Sequence, residues 1–252
     1  MKRYSIIYQY GIVCGCIYYS ISMPKMDSMR SIPGINRGAE DAFEYEGNIA
    51  GRQFSKSFPV YKWTTRRVPY LISKEMSPNM TSTILEAIKS WNEDFNNCIK
   101  WIPRKIQKDY VYFTNGSLCH SEVGRVKYKQ LIVLNEANCL GKGYILHEMM
   151  HTVGFTHEHN RPDRDKYIEI LFLNIPYEWR NQYKKESMEA VMELGPYDFH
   201  SLMHYEIQSP DRNKPAFRVI PKGVDVSRIG QRNLLSELDK LKVKRLYCPE
   251  KL

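Results

Sequence analysis

His147-Glu148-Met149-Met150-His151-Thr152-Val153-Gly154-Phe155-Thr156-His157 puts three imidazoles and a carboxylate within eleven residues. On a helix, residues four apart differ by about 40° in direction, so His147 and His151 aim at one point. Glu148 lies one residue further round, near enough to reach a water held at that point without joining the ligands. Gly154 can adopt a left-handed conformation that ends the helix, and His157 then swings back as a third ligand. Three protein ligands leave a coordination position open to water, which is the catalytic rather than the structural arrangement of zinc. A bare His-Glu-x-x-His also occurs in unrelated helices; Gly154 and His157 at their offsets make this run specific.

Around this run the chain reads as α+β, with a mixed, mostly N-terminal sheet, two long helices and a more irregular C-terminal part. Strand-like runs occur at Val68 to Ile72, Ile99 to Ile102, Tyr110 to Thr114 and Leu131 to Leu134. Ile84, Ile88, Trp91 and Phe95 recur at helical spacing, and Thr83 with Glu86 is read as a capping box. The helix with the histidine pair is expected over Gly143 to Val153. A final helix is expected over Ser236 to Leu246, with Ser236 and Asp239 at its N-terminal cap. No internal repeat or low-complexity tract interrupts this pattern.

The N-terminus points to export. Lys2 and Arg3 precede an apolar, tyrosine-rich stretch from Ile6 to Ile21, with Ser20 and Ser22 as small cleavage-site residues. Residues 1–22 are therefore expected to be a signal peptide rather than a membrane anchor, and the Pro-, Gly- and charge-mixed residues 23–52 a pro-segment. Beyond the signal peptide remain Cys98, Cys119, Cys139 and Cys248, enough for two disulfides in three possible pairings. Asn79-Met80-Thr81 and Asn115-Gly116-Ser117 have the form of N-glycosylation acceptors. The chain of 252 residues has a net charge of +9, and residues 53–252 keep 31 Lys and Arg against 23 Asp and Glu. A solvated basic surface accounts for that, and without a nucleic-acid-binding signature no nucleic-acid partner is expected.

From His147 to Asp165, with Glu158 directly after the third histidine, the chain resembles the astacin family of metzincin zinc metallopeptidases. A second block, Pro196-Tyr197-Asp198-Phe199-His200-Ser201-Leu202-Met203-His204-Tyr205, resembles the family's Met-turn. The likeness runs from about Trp63 to Cys248, including Gly230-Gln231-Arg232 and Leu235 to Asp239. It implies a metzincin-like catalytic domain over 53–252 that holds one Zn2+ on His147, His151 and His157. It further implies Met203 beneath the metal, Glu148 as general base and Tyr205 as a switchable tyrosine that stabilises the oxyanion. The family's disulfides would pair Cys98 with Cys248 and Cys119 with Cys139. Its substrates are extended polypeptides laid along a sheet edge, for which Leu118 to Arg125 is the candidate. Arg232 or Arg218 could receive an acidic side chain after the cleaved bond. The resemblance also implies a new chain terminus near Arg52 or Gln53 whose ammonium is buried against Glu158.

Two departures stand out. Where the family's pro-segment carries Phe-x-Gly-Asp, this chain has Tyr45-Glu46-Gly47-Asn48, an amide in place of the carboxylate that would occupy the metal. Amide oxygen is the poorer ligand, so latency is expected to be leakier, or to rest on Glu46 or on steric cover. Lys127-Tyr128 replaces a frequent glycine pair, which predicts a differently shaped loop before Leu131. The expected product is a secreted, monomeric endopeptidase without a stable membrane anchor. The rival is a secreted binding protein on the same scaffold with catalysis lost, which would need a broken ligand or base; none is broken. A thermolysin-like site would need a distant glutamate as third ligand, and His157 at its short offset speaks against it.

Overall fold

The computed structural model describes residues 62–96, 98–186 and 194–251. The expected signal peptide, the pro-segment with Glu46 and Asn48, and the expected cleavage point lie outside these residues. Among the described residues no helix is long and apolar enough to cross a membrane.

The N-terminal part is a five-stranded sheet backed by two helices. Strands β1 (Arg67–Ile72), β2 (Lys100–Pro103), β3 (Tyr110–Asn115), β4 (His120–Ser121) and β5 (Lys129–Leu134) run in the order β2-β1-β3-β5-β4. All pairings are parallel except that of β4, which lies antiparallel on β5 and forms the edge. Alternation fixes the buried face: Val111 and Phe113 of β3 point into the core with Val68 of β1 and Trp101 of β2. Against that face packs helix α1 (Pro78–Asp94), burying Met80, Ile84, Ala87, Ile88 and Trp91. Each large side chain buried there contributes about 1.5–3 kcal/mol relative to exposure.

Helix α1 starts earlier than the Thr83 and Glu86 pair predicts. Ser77 is the N-cap: its Oγ accepts from the Met80 N–H at 3.1 Å, and Pro78 opens the first turn. Proline suits that position because its missing N–H would have no helical partner there. Thr83 sits within the helix, its hydroxyl donating to the Asn79 carbonyl at 3.0 Å. Asn79 in the first turn and Asn115 at the end of β3 are both exposed.

Helix α2 (Lys142–Thr152) is buried on nearly every side from Ile145 to Thr152, so the motif rather than amphipathic spacing marks it in the sequence. Its N-terminal end runs so close to the chain at Arg232 that a Cβ on Gly143 would stand 1.9 Å from the Arg232 carbonyl oxygen. Beyond α2 the chain is irregular, with short 3-10 turns and a two-stranded sheet of β6 (Ile168–Ile170) and β7 (Phe217–Val219) around a second cluster that includes Ile168, Tyr183 and Phe217. Helix α3 (Glu237–Tyr247) closes the chain with the expected capping box of Ser236 and Asp239. The disulfides are Cys98–Cys248, tying the end of α3 to the residues after α1, and Cys119–Cys139.

The Lys127-Tyr128 departure has a backbone consequence. Tyr128 takes φ 68°, the left-handed region, held by its N–H on Asp109 at 2.7 Å and its carbonyl on the Tyr110 N–H at 2.9 Å. That conformation costs a side-chain-bearing residue about 1–2 kcal/mol, and glycine gives back about 0.5–1 through chain entropy. Tyr128 is 67% exposed, so little packing is lost with its ring. Tyr128→Gly should therefore raise stability by about 0.5–1 kcal/mol, and a lower melting temperature for the variant would contradict this reading.

Candidate active site

The site is assembled by the end of α2 and the bend after it. Gly154 takes φ 106°. Its N–H bonds the His151 carbonyl at 2.7 Å, and the Phe155 N–H reaches back to the Met150 carbonyl at 3.1 Å. This double closure is a Schellman motif, which needs glycine at the left-handed position. The remaining carbonyls at this helix end are also satisfied: Trp63 Nε1 donates to Thr152 at 3.0 Å and the Tyr247 hydroxyl to Val153 at 2.9 Å. The helix end is thus fixed from the start of the described chain and from α3.

His147, His151 and His157 converge with their rings buried. One nitrogen from each lies within 4.8 Å of the others, and among the described residues this is the one cluster of His, Cys, Asp or Glu able to hold a metal. Backbone carbonyls set the tautomers. His147 Nδ1 donates to the Leu202 carbonyl at 2.9 Å and His151 Nδ1 to the Phe155 carbonyl at 2.7 Å. A carbonyl only accepts, so each Nδ1 carries the proton and each Nε2 keeps its lone pair, the form a metal requires. His151 Nε2 lies 3.1 Å from His157 Nε2, close to the roughly 3.3 Å that two nitrogens about 2.05 Å from a tetrahedral zinc would show. The donor set therefore fits one zinc ion. Glu148 is fully buried on the same helix and stands outside the cluster.

The segment from Pro196 to Tyr205 touches the trio through the Leu202 carbonyl on His147. Met203 is buried, and its carbonyl accepts from the Glu158 N–H at 3.0 Å. Asp239, in the capping box of α3, also accepts from the Ser201 hydroxyl at 2.6 Å and the Leu202 N–H at 2.8 Å, so α3 fixes the carbonyl that orients His147. Burial pushes the Asp239 carboxyl up, against the pull of these donors. Half-buried Tyr205 lies with its ring centroid 4.8 Å from that of His157 and 4.0 Å from that of His159.

Two further histidines are buried nearby, His159 with its ring centroid 5.4 Å from that of His157. His159 donates from Nε2 to the Gln182 carbonyl at 3.0 Å, and burial holds it well below the usual histidine range. His204 accepts from the Tyr197 hydroxyl at 2.7 Å and is pushed down to about 4, chiefly by burial. Both are neutral at pH 7 and add no cation beside the metal position.

The two candidate arginines part company. Arg232 Nη1 donates to the Leu202 and His204 carbonyls, both at 3.1 Å, and so shares the Leu202 oxygen with His147. Arg218 lies exposed on β7 opposite Glu169 and is paired with it. The edge expected between Leu118 and Arg125 contains β4, and it is bolted to the site helix. Ser121 Oγ donates to the Glu148 carbonyl at 2.9 Å, and the Gly124 N–H to the His151 carbonyl at 2.8 Å.

Glu158 is held by groups the sequence did not suggest. Its carboxylate accepts from Lys242 Nζ at 2.7 and 2.8 Å, from the Asp198 N–H at 2.9 Å and from Arg161 Nη1 at 3.3 Å. Burial pushes this carboxyl up while Lys242 and Arg161 pull it down. Arg52 and Gln53 lie outside the described residues, so the expected terminal ammonium has no position here.

Similarity to known proteins agrees with this geometry. Residues 55–248 match the peptidase family described as Astacin. The zinc metalloproteinase nas-13 of Caenorhabditis elegans is 39% identical over 192 residues, 75% of this chain and 41% of the relative. The astacin-like metalloendopeptidase of Gallus gallus is 36% identical over 182 residues, 72% of this chain and 44% of its own. The chain thus spans under half the length of these relatives. Among solved structures, the hatching enzyme zinc-protease HCE-1 of Oryzias latipes superposes with a TM-score of 0.66 at 31% identity, covering 74% of this chain and 92% of that one. With residues 55–248 matching that family and three imidazoles converging after a glycine bend, the chain belongs to the astacin family of zinc metallopeptidases.

Proposed function

We propose that the chain is a secreted zinc endopeptidase that hydrolyses internal peptide bonds of proteins. The observation that carries this reading is the convergence of His147, His151 and His157, with the Nδ1 atoms of His147 and His151 committed to backbone carbonyls, and a buried Glu148 on the same helix. Zinc bound there would polarise the scissile carbonyl and bring the pKa of a water down to about 7.

The chain's own residues divide the remaining work. Glu148 accepts the proton of the attacking water and returns it to the leaving amine. Substrate lies extended along β4, whose link to α2 sets its distance from Glu148. The Tyr205 hydroxyl donates to the oxyanion, and Arg232 receives an acidic side chain just after the cleaved bond. Tyr205→Phe is expected to lower kcat by about 10²-fold with KM little changed, the signature of a donor used in the transition state; a loss confined to KM would remove Tyr205 from this role.

Residues 1–22 direct export, and residues 23–52 are a pro-segment removed by cleavage near Arg52 or Gln53. With Asn48 in place of an aspartate, latency is leaky or rests on Glu46 or steric cover. Complete silence of the uncut chain that survives Glu46→Ala would count against the first two. Asn79 and Asn115 carry the glycans, and the enzyme acts as a monomer without nucleic-acid or membrane partners. The direct test is hydrolysis of a generic protein substrate by the processed chain, abolished by a chelator and restored by added zinc. Zinc retained without hydrolysis would favour a binding protein instead.

A further inference from the structure

Glu158 follows the third histidine, and its surroundings are unusual for a charged group. The Glu158, Lys242 and Arg161 side chains retain 8%, 5% and 8% exposure, so two cations and a carboxylate are enclosed together. Lys242 spans both oxygens, while Arg161 also grips Asp163 through two contacts at 2.9 and 3.0 Å. Lys242 thus already takes both oxygens of Glu158, and a second ammonium brought there would have to displace it or share them.

Glu158 also joins three parts of the site. Its N–H bonds the Met203 carbonyl, its carboxylate takes the Asp198 N–H, and Lys242 connects it to α3. The Asp198 to Met203 segment contains Leu202, whose carbonyl orients His147. Holding Glu158 therefore holds both the bend bearing His157 and the carbonyl that sets a second ligand.

We propose that Lys242 is a positioning residue: its ammonium, delivered by α3, clamps Glu158 and the His157 bend, and makes the site independent of the ammonium at a newly cut chain terminus. This rests on the zinc endopeptidase reading. It departs from what the resemblance implies, in which the terminus supplies the cation.

The experiment compares chains cut to begin at Arg52, Gln53 or Phe54, and Lys242→Met and Lys242→Arg in the chain beginning at Gln53. Zinc content, thermal melting and steady-state kinetics on a fluorogenic peptide are measured for each. The three termini should agree within about threefold in kcat and KM. Lys242→Met should lower kcat by about tenfold or more with KM within about twofold, in the range seen when partners of metal ligands are removed, and Lys242→Arg should recover most of it. Should Lys242→Met fail to fold, Glu158→Gln with Lys242→Met removes both charges, and its kinetics then answer the same question with the terminus series. A terminus shifted by one residue that costs tenfold, or a kcat left unchanged by Lys242→Met or by the folded double variant, overturns the clamp. Absence of hydrolysis by the unsubstituted chain at all three termini would instead defeat the peptidase reading.

Discussion

Replacing Glu148 by Gln is expected to lower kcat by roughly 10³-fold while one zinc ion per chain is retained, within the span known for lost general acid–base groups. The reason is geometric. Glu148 lies on the same buried helix as two ligands yet outside the cluster that can hold the metal. Its loss should therefore leave the ion in place and remove only the group that moves protons. Steady-state kinetics with metal analysis checks this. A variant that lost zinc together with activity would make Glu148 a structural partner of the site, and one with near-normal turnover would remove it from the chemistry.

The second large effect concerns stability. Cys98–Cys248 joins residues 150 apart, and on the chain-entropy view such a closure contributes about 4–5 kcal/mol. Cys98→Ser with Cys248→Ser should lower the melting temperature of a domain of this size by roughly 10–20 °C. The loss should reach the site, because α3 carries Lys242, Asp239 and the Tyr247 hydroxyl that caps α2. Removing Cys119–Cys139, 20 residues apart, should cost about 3 kcal/mol. Melting curves of the two double variants compare them directly, and equal losses would contradict the dependence on loop length.

Much of this architecture could be read in the residues. Ile84, Ile88 and Trp91 kept a clean helical period because α1 buries one face only. The strand-like runs were legible as well, and in β3 the buried Val111 and Phe113 alternate with less buried neighbours. The three ligands and the glycine bend followed from spacing alone. The Cys98–Cys248 and Cys119–Cys139 pairs formed as the family likeness implied, whereas spacing had left three pairings open.

What escaped was carried by the backbone or by distant side chains. Strand β4 is two residues long, too short for any periodicity, yet it forms the sheet edge beside the site. Leu202 contributes its carbonyl to His147, and no side-chain pattern marks a carbonyl. Lys242 looks in sequence like one more cation on a solvated helix face, among Lys240, Lys244 and Arg245. Only the folded chain shows that it is buried against Glu158. At Ser77 the helix start is present as Ser-Pro, and the later Thr83 with Glu86 satisfies the same capping preference without starting the helix.

The central claim is that three imidazoles gather around a single divalent ion. Native mass spectrometry of the processed chain, beside its His151→Ala variant, tests this directly. The account predicts one zinc per chain in the first and none stably held in the second. A processed, folded chain that carries no metal, or a His151→Ala variant that keeps its zinc, would contradict it.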